Sequence, residues 1–315
     1  MPVTLEDVAC PLGCPRGEEA ILVGRDLLHN LPGEFTVVKC STCGLMRTNP
    51  RPTAASIGFY YPDDYGPYQG TRVTPGKLKQ RSLLKRILKP VFACLFRFNT
   101  EILPAMKPGR LLEIGCASGS FLHSMAAKGW LVEGIEFSDK AAQDAASFGY
   151  QVYSGALETS PQPEHPYDLI VGWMVLEHLH KPVESLKKLY ERSRPSAALV
   201  LSMPNTCSLE FKILKNRWFA LQLPTHLYHF TPDSLDQVLL AAGWKVEKIF
   251  HQRALSNLTA SLGFILRERG MTGLGRWLSE LYEKPGVWPF LLYPVAYILS
   301  IFGQTGRMTV WARKV

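Results

Sequence analysis

Apolar positions follow two spacings along this chain, and each spacing predicts a different element. The short continuous run LLEIG at 111–115 predicts a buried strand, whose glycine-rich end opens a helix near Ser118. FTVVKC at 35–40 alternates, which predicts an earlier strand. Between residues 77 and 102, apolar side chains recur at three- and four-residue steps. This pattern predicts a basic amphipathic helix that Pro90 interrupts.

The C-terminal part contains another helical pattern and the most apolar run of the chain. LSNLTASLGFILRERG at 255–270 predicts a helix. The run at 286–302 is 17 residues long and contains Pro289 and Pro294, so it is short for a membrane-spanning helix. We expect an apolar hairpin that either dips into a membrane interface or covers an apolar pocket as a lid.

The net charge of +8 comes from one short segment. Residues 72–110 hold ten Lys or Arg and one acidic residue, or +9, so the rest of the chain sums to −1. With 46% hydrophobic residues, the chain is expected to be globular and not disordered. A broad basic face for nucleic acid is disfavoured. The basic helix is expected either to meet substrate phosphate or an anionic membrane, or to pack as a cap with solvated charges.

Four of the seven cysteines form two close pairs near the N-terminus. Three residues separate Cys10 from Cys14, and two separate Cys40 from Cys43. Two tight turns that each present two thiolates supply the tetrahedral site that Zn²⁺ prefers. An odd number of cysteines and an N-terminus without an apolar run indicate neither a disulfide framework nor a secretory signal. We therefore expect a zinc ribbon in a cytoplasmic protein, with peripheral contact at the inner face of the membrane left open.

The glycine-rich segment after LLEIG carries the strongest chemical signal. The residues Glu113, Gly115, Ala117 and Gly119 form the pattern acid-x-Gly-x-small-x-Gly, which differs from a dinucleotide-binding fingerprint. This pattern resembles the first motif of class I S-adenosylmethionine-dependent methyltransferases, although the commonest form has glycine at position 117. Later segments resemble the same family in order. The resemblance implies an α/β fold with a seven-stranded Rossmann-like sheet, helices on both faces, and S-adenosylmethionine as cofactor.

The resemblance also implies which residues bind this cofactor. Glu136 follows the second strand, where an acidic side chain can accept hydrogen bonds from both ribose hydroxyls. Ala156 and Leu157 would flank the adenine, and Trp173 would lie near the cofactor. The complete predicted set is Glu113, Gly115, Cys116, Ala117, Gly119, Glu136, Phe137, Ala156, Leu157 and Trp173.

The segment GWMVLEHL resembles small-molecule methyltransferases, including quinone and sugar enzymes, and lacks the motif of nucleic-acid amino methyltransferases. A four-cysteine module before the domain resembles nucleotide-sugar C-methyltransferases, in which histidines match His178 and His226. A neutral imidazole is suited to removing the acceptor's proton near pH 7. We therefore predict His178 and His226 as bases, with Glu177 orienting one of them and His229 as a further candidate. A purely structural role for these histidines stays open.

We expect four parts: a zinc-binding module at 1–52, a connector and basic cap helix at 53–107, a methyltransferase domain at 108–253 and 304–315, and an apolar helical insertion at 254–303. Tyrosines of the connector could line a cleft: Tyr60, Tyr61, Tyr65 and Tyr68. The expected acceptor is a small or lipid-linked molecule, such as a sugar or another cell-envelope or secondary metabolite. The alternatives are an RNA methyltransferase and a non-catalytic module that binds S-adenosylmethionine.

Overall fold

The computed structural model describes residues 3–62, 102–282 and 288–315. The N-terminal part contains five short strands, with a turn within each of two cysteine pairs. These strands are β1 (Leu5–Glu6), β2 (Glu18–Gly24), β3 (Phe35–Cys40), β4 (Met46–Thr48) and β5 (Arg51–Pro52). β2, β3 and β4 pair antiparallel, and β1 pairs with β5.

A seven-stranded mixed sheet forms the centre of the larger part. Its strands are β6 (Arg110–Ile114), β7 (Leu131–Glu136), β8 (Gln151–Ser154), β9 (Tyr167–Trp173), β10 (Ser193–Pro204), β12 (Trp244–His251) and β13 (Arg307–Lys314). They lie in the order β12-β13-β10-β9-β6-β7-β8. β13 runs antiparallel to both neighbours, and β10, β9, β6, β7 and β8 are parallel. The predicted α/β fold with a seven-stranded sheet is confirmed.

Helices cover both faces of this sheet. The helices of the larger part are α1 (Ser120–Ala126), α2 (Asp139–Ala146), α3 (Pro182–Glu191), α4 (Leu209–Leu214) and α5 (Pro232–Ala241). Because successive strand residues face opposite sides, Leu111 of β6 packs in the core that contains α1 and α2. Its neighbour Leu112 packs in the core that contains α3 and α5.

Between β12 and β13 the chain forms three helices: α6 (Ser256–Glu268), α7 (Thr272–Ser279) and α8 (Trp288–Ile301). The expected hairpin is wrong, because α8 continues through Pro294. Pro294 is exposed, so water can bond the carbonyl that the proline ring leaves without its helical partner. Within the described residues, no helix combines the length and apolar character needed to cross a bilayer. The predicted basic helix at 77–102 lies almost entirely outside the described residues.

One strand joins the two parts of the molecule. β11 (Tyr228–His229), which precedes α5, pairs antiparallel with β4 and becomes the edge of the N-terminal sheet. The backbone N–H of Thr48 also donates to the carbonyl of Leu227 at 3.0 Å. The N-terminal sheet is therefore continuous with a segment that the sequence assigns to the catalytic domain.

Candidate active site

The structure brings the four N-terminal cysteines together. Their Sγ atoms all lie within 4.8 Å of one another, and the Sγ atoms of Cys10 and Cys43 are 3.5 Å apart. Tetrahedral bonds of ~2.3 Å would place the sulfurs about 3.8 Å apart, so this spacing fits Zn²⁺. Gly13 and Gly44 turn the chain with φ of +72° and +75°. Burial opposes ionisation of Cys40, but hydrogen bonds from backbone amides of the turn lower its pKa to about 7.

The glycine loop at 115–119 connects β6 to α1 and requires glycine at both ends. Gly115 and Gly119 have φ of +67° and +79°, a region that side chains with a Cβ disfavour. A Cβ at Gly115 would come within 2.5 Å of Val175 Cγ2, and one at Gly119 within 3.0 Å of Ala145 Cβ. The loop backbone therefore lies directly against the turn that follows β9.

Glu136 at the end of β7 faces this loop and fits the predicted ribose-binding role. The Ala117 N–H donates to one carboxylate oxygen at 2.8 Å, and the Ser138 N–H donates to the other at 2.9 Å. Each oxygen keeps a further acceptor position, as a pair of ribose hydroxyls requires. Burial raises the pKa of Glu136, and the backbone amides oppose that effect. Ala117 holds its amide in place at φ +45°, which strains a residue with a Cβ.

Trp173 ends β9 beside the loop and is a second group available to a ligand. Its ring packs edge-to-face on Phe121 at 5.3 Å. Among the described residues, its buried indole N–H has no hydrogen-bond partner. Phe137 follows Glu136 and is 60% exposed, while Ala156 is half-buried. Both positions leave room for a ligand at this edge of the sheet.

Three other residues predicted to bind the cofactor have buried side chains. Cys116 and Leu157 belong to the apolar cores, and Glu113 is buried within β6. Burial, together with the charges of Glu113 and Glu136, raises the pKa of the Cys116 thiol. A contact between a ligand and Cys116 or Leu157 would therefore use the backbone, because their side chains are buried in the apolar cores.

The predicted acceptor-side residues form one cluster. Glu177 and His178 lie on a single 3-10 turn, Leu176–His178, after β9, and His226 comes from the segment before β11. One potential ligand atom from each of the three lies within 4.8 Å of the others. The rings of His178 and His226 are 4.6 Å apart, edge to face. We call these three residues the Glu-His-His cluster.

Backbone carbonyls fix the tautomers of both histidines. The Nδ1–H of His178 donates to the Thr225 carbonyl at 2.9 Å, and the Nδ1–H of His226 donates to the Ala220 carbonyl at 2.9 Å. A carbonyl can only accept, so each neutral ring carries its lone pair on Nε2. Burial lowers the pKa of His178 to about 4. Burial and the charges of neighbouring histidines lower the pKa of His226.

Glu177 completes the cluster with a fully buried carboxyl group. Its exposed fraction is 0%, and burial raises its pKa to about 8. Neither carboxyl oxygen has a hydrogen-bond partner among the described residues. His178 is half-buried, whereas His226 is 1% exposed, so His178 is the member most accessible to an acceptor.

Residues of the N-terminal part contact this cluster and hold it in place. The Thr48 hydroxyl donates to the His226 carbonyl at 2.8 Å and accepts from His229 Nε2–H at 3.1 Å. His229 therefore supports Thr48 and lies outside the cluster. Tyr61 Oη is 2.9 Å from His178 Nδ1. Arg51 donates to the His180 carbonyl at 3.0 Å.

The predicted cleft tyrosines divide into three cases. Tyr61 reaches the Glu-His-His cluster, as expected of a cleft residue. Tyr60 is buried against Phe35 and donates to the Pro32 carbonyl at 2.8 Å, so it belongs to the core of the N-terminal part. Two of them lie outside the described residues, namely Tyr65 and Tyr68.

Comparison with known families agrees with this architecture. The model of a family described as a methyltransferase domain matches residues 88–249, just over half of the chain. The chain belongs to this family of methyltransferase domains.

Curated relatives share the central part of the chain. A ubiquinone biosynthesis O-methyltransferase of Nitrosospira multiformis is 28% identical over 153 residues, covering 44% of this chain and 64% of the relative. The mitochondrial enzyme of that name from Schizosaccharomyces pombe is 26% identical over 187 residues, covering 53% and 65%. The chain thus spans less than two thirds of the length of these relatives.

Solved structures with similar folds include a SAM-dependent methyltransferase from Archaeoglobus fulgidus, with a TM-score of 0.44 and 18% identity. The match covers 73% of this chain and 94% of that one. An S-adenosylmethionine-dependent methyltransferase from Mesorhizobium loti has a TM-score of 0.44 and 15% identity, covering 72% and 97%.

Proposed function

We propose that this chain transfers a methyl group from S-adenosylmethionine to a small-molecule or lipid-linked acceptor, such as a sugar or another cell-envelope or secondary metabolite. One observation carries the proposal. The glycine loop with Glu136 lies directly beside the turn that presents the Glu-His-His cluster, through the contact between Gly115 and Val175. A site for the cofactor's nucleoside and a set of proton acceptors therefore share one edge of the sheet.

The cluster removes the acceptor's proton in this proposal. Bound S-adenosylmethionine supplies a methyl group on a positively charged sulfur. The acceptor atom forms the new bond to that methyl carbon as the carbon–sulfur bond breaks, and the acceptor loses a proton. His178 is suited to take this proton on Nε2, because its Nδ1–H is already donated to Thr225. Alignment by the surrounding pocket supplies much of the remaining rate.

The four cysteines would bind a structural Zn²⁺ ion. The donor set is complete with four thiols, which leaves no open position for a substrate. The N-terminal sheet is small and packs side chains such as Phe35, Val37 and Leu45 into the core shared with the larger part, and metal binding would add to its folding free energy. Its proposed role is to hold Thr48 and Tyr61 against the cluster.

An apolar acceptor or a membrane surface is supported by the exposed face of α8. This helix contains no charged residue. Its large exposed side chains recur at three- and four-residue steps, and each is more than half exposed: Leu291, Val295, Ile298 and, just past the helix end, Phe302. Trp277 of α7 packs edge-to-face on Trp288 at 5.4 Å beside this face. Such a surface suits an interfacial contact more than solvent.

Vesicle binding tests this part of the proposal. We expect the chain to bind phosphatidylglycerol vesicles at low salt, and Leu291→Asp together with Ile298→Asp to reduce the bound fraction. Leu240→Asp is the matched control, because Leu240 is similarly exposed, at 64%, but belongs to a different helix, α5. Equal binding by all three proteins, or no binding by the unmodified chain, would reject the membrane contact.

Methyl transfer itself is tested with S-adenosylmethionine labelled in the methyl group. Label should enter the lipid or small-molecule fraction of a cell extract. Calorimetry should show S-adenosylmethionine binding. The absence of binding would reject the proposed enzyme and also both alternatives, because each of them uses this cofactor. Label in RNA, with binding that falls steeply as salt increases, would support the RNA methyltransferase instead.

A further inference from the structure

We infer that the Glu-His-His cluster binds a divalent transition-metal cation, separate from the four-cysteine site. Two imidazoles and one carboxylate are a common set of ligands for such ions. The potential ligand atoms of Glu177, His178 and His226 lie within 4.8 Å of one another. Bonds of about 2.1 Å to one ion would place them ~3.0–3.4 Å apart, which small side-chain rotations can achieve.

The surroundings of Glu177 carry the inference furthest. This carboxyl group is completely buried, and both of its oxygens lack a hydrogen-bond partner among the described residues. An isolated buried carboxylate is costly unless it is paired or coordinates a metal. The charge of Arg307 acts on Glu177, yet neither Glu177 oxygen accepts a hydrogen bond from it within the described chain. The Arg307 Nε–H instead donates to Asn257 Oδ1 at 3.3 Å.

The histidines are arranged as metal-ligating histidines usually are. A ligating imidazole commonly donates its other N–H to a backbone carbonyl, which fixes the tautomer and the ring orientation. Thr225 and Ala220 provide those carbonyls for His178 and His226. Both rings therefore keep the Nε2 lone pair for a ligand.

The donor set favours a first-row transition ion. Imidazole nitrogen suits Zn²⁺, Fe²⁺ or Ni²⁺, whereas Mg²⁺ and Ca²⁺ prefer a cage of oxygen ligands. Three protein ligands leave at least one coordination position open. An acceptor hydroxyl could fill it, and the positive charge would lower the pKa of that hydroxyl. This catalytic role rests on the proposed function. His178 and His226 would then act as metal ligands, and His178 would not act as the base.

Cation binding can be measured without activity. Protein is purified with zinc retained in the cysteine site and treated with a mild chelator, and Mn²⁺ is then titrated in by calorimetry. We expect one further equivalent to bind. Glu177→Gln should weaken this binding by more than about 100-fold, since even supporting residues cost 10- to 100-fold. Electron spin echo spectroscopy of bound Mn²⁺ should show imidazole nitrogen couplings that decrease in His226→Gln.

Glu210→Gln is the matched control, because Glu210 is also a buried carboxyl group but accepts a hydrogen bond from Trp218 Nε1 at 3.1 Å. It should bind Mn²⁺ as the unmodified chain does, and circular dichroism should confirm that the variants are folded. No binding at millimolar Mn²⁺, or equal binding by Glu177→Gln, overturns the inference. If S-adenosylmethionine still binds in that case, the proposed function stands. If Mn²⁺ binds and S-adenosylmethionine does not, the proposed function fails alone.

Discussion

The glycine loop and the Glu-His-His cluster lie at the same edge of the sheet, yet the chain builds them differently. The loop and Glu136 come from adjacent parallel strands within about 25 residues of sequence. Their contacts are backbone hydrogen bonds, such as Ala117 N–H to Glu136 at 2.8 Å. The cluster instead combines a turn after β9 with His226, and Thr48 and Tyr61 of the N-terminal part support it.

Under the proposed function, this difference separates cofactor binding from acceptor chemistry. The glycine loop depends on its glycines and on one carboxylate, so it should bind the cofactor in any variant that folds this sheet. The cluster depends on a small N-terminal sheet whose stability we assign to a metal. Changes in that sheet should therefore reach the acceptor side and leave the cofactor side unchanged.

The largest expected effect comes from breaking the cysteine site. Cys40→Ser should lose on the order of one zinc ion per chain, together with the order of the N-terminal sheet. Methyl transfer should fall to background, while S-adenosylmethionine affinity changes by less than about threefold. Elemental analysis and calorimetry measure the two quantities. Cys207→Ser, at a half-buried isolated cysteine, is the control and should change neither. A Cys40→Ser protein with full activity would show that the two parts are not coupled.

A smaller effect is expected from the acceptor side itself. His178→Gln should reduce turnover by about 10²- to 10⁴-fold, because it removes either a base or a ligand. The dissociation constant of S-adenosylmethionine should stay the same. His123→Gln is the control, since His123 is an exposed histidine on α1. Unchanged turnover in His178→Gln would remove this residue from the chemistry.

On the cofactor side, Glu136→Gln should weaken S-adenosylmethionine binding by about 10- to 100-fold, through the loss of charged hydrogen bonds to the ribose. Turnover at saturating cofactor should change little. Glu247→Gln replaces a carboxylate on β12 that pairs with Arg313 at 3.0 Å, and it should have no effect on binding. If Glu136→Gln binds normally, the ribose contact is elsewhere.

The smallest effect is expected at Ala117. Glycine there would relieve a left-handed conformation that costs alanine ~1–2 kcal/mol, and it would add roughly 0.5–1 kcal/mol of unfolded-state entropy. Ala117→Gly should therefore increase the free energy of unfolding by up to about 1.5 kcal/mol. Chemical denaturation measures this change. Gly119→Ala is the opposite control, since its Cβ would meet Ala145, and it should destabilise the protein.

The sequence predicted the sheet and the glycine loop because both are local patterns. Short apolar runs predict strands, and Glu113, Gly115 and Gly119 identify the first turn without any long-range information. The cysteine pairs were readable for the same reason. The number of strands in the sheet came from the resemblance to a known family, and the structure confirms it.

The particular contacts that support the cluster could not be predicted, because they link residues that are distant in sequence. Thr48 and His226 are 178 positions apart, and no periodicity shows that β4 pairs with β11. Tyr60 and Tyr61 look alike in sequence, yet only Tyr61 reaches His178. The continuous helix through Pro294 was also not predicted, because the exposure of Pro294 depends on how α8 packs.

The most direct test of this account is S-adenosylmethionine binding by calorimetry to the unmodified chain and to a variant that combines Glu177→Gln with His226→Gln. If the cofactor side and the acceptor side are independent, the two proteins should have dissociation constants for S-adenosylmethionine within about threefold of each other. No binding to the unmodified chain would contradict the account, and so would a loss of more than about tenfold in a folded double variant.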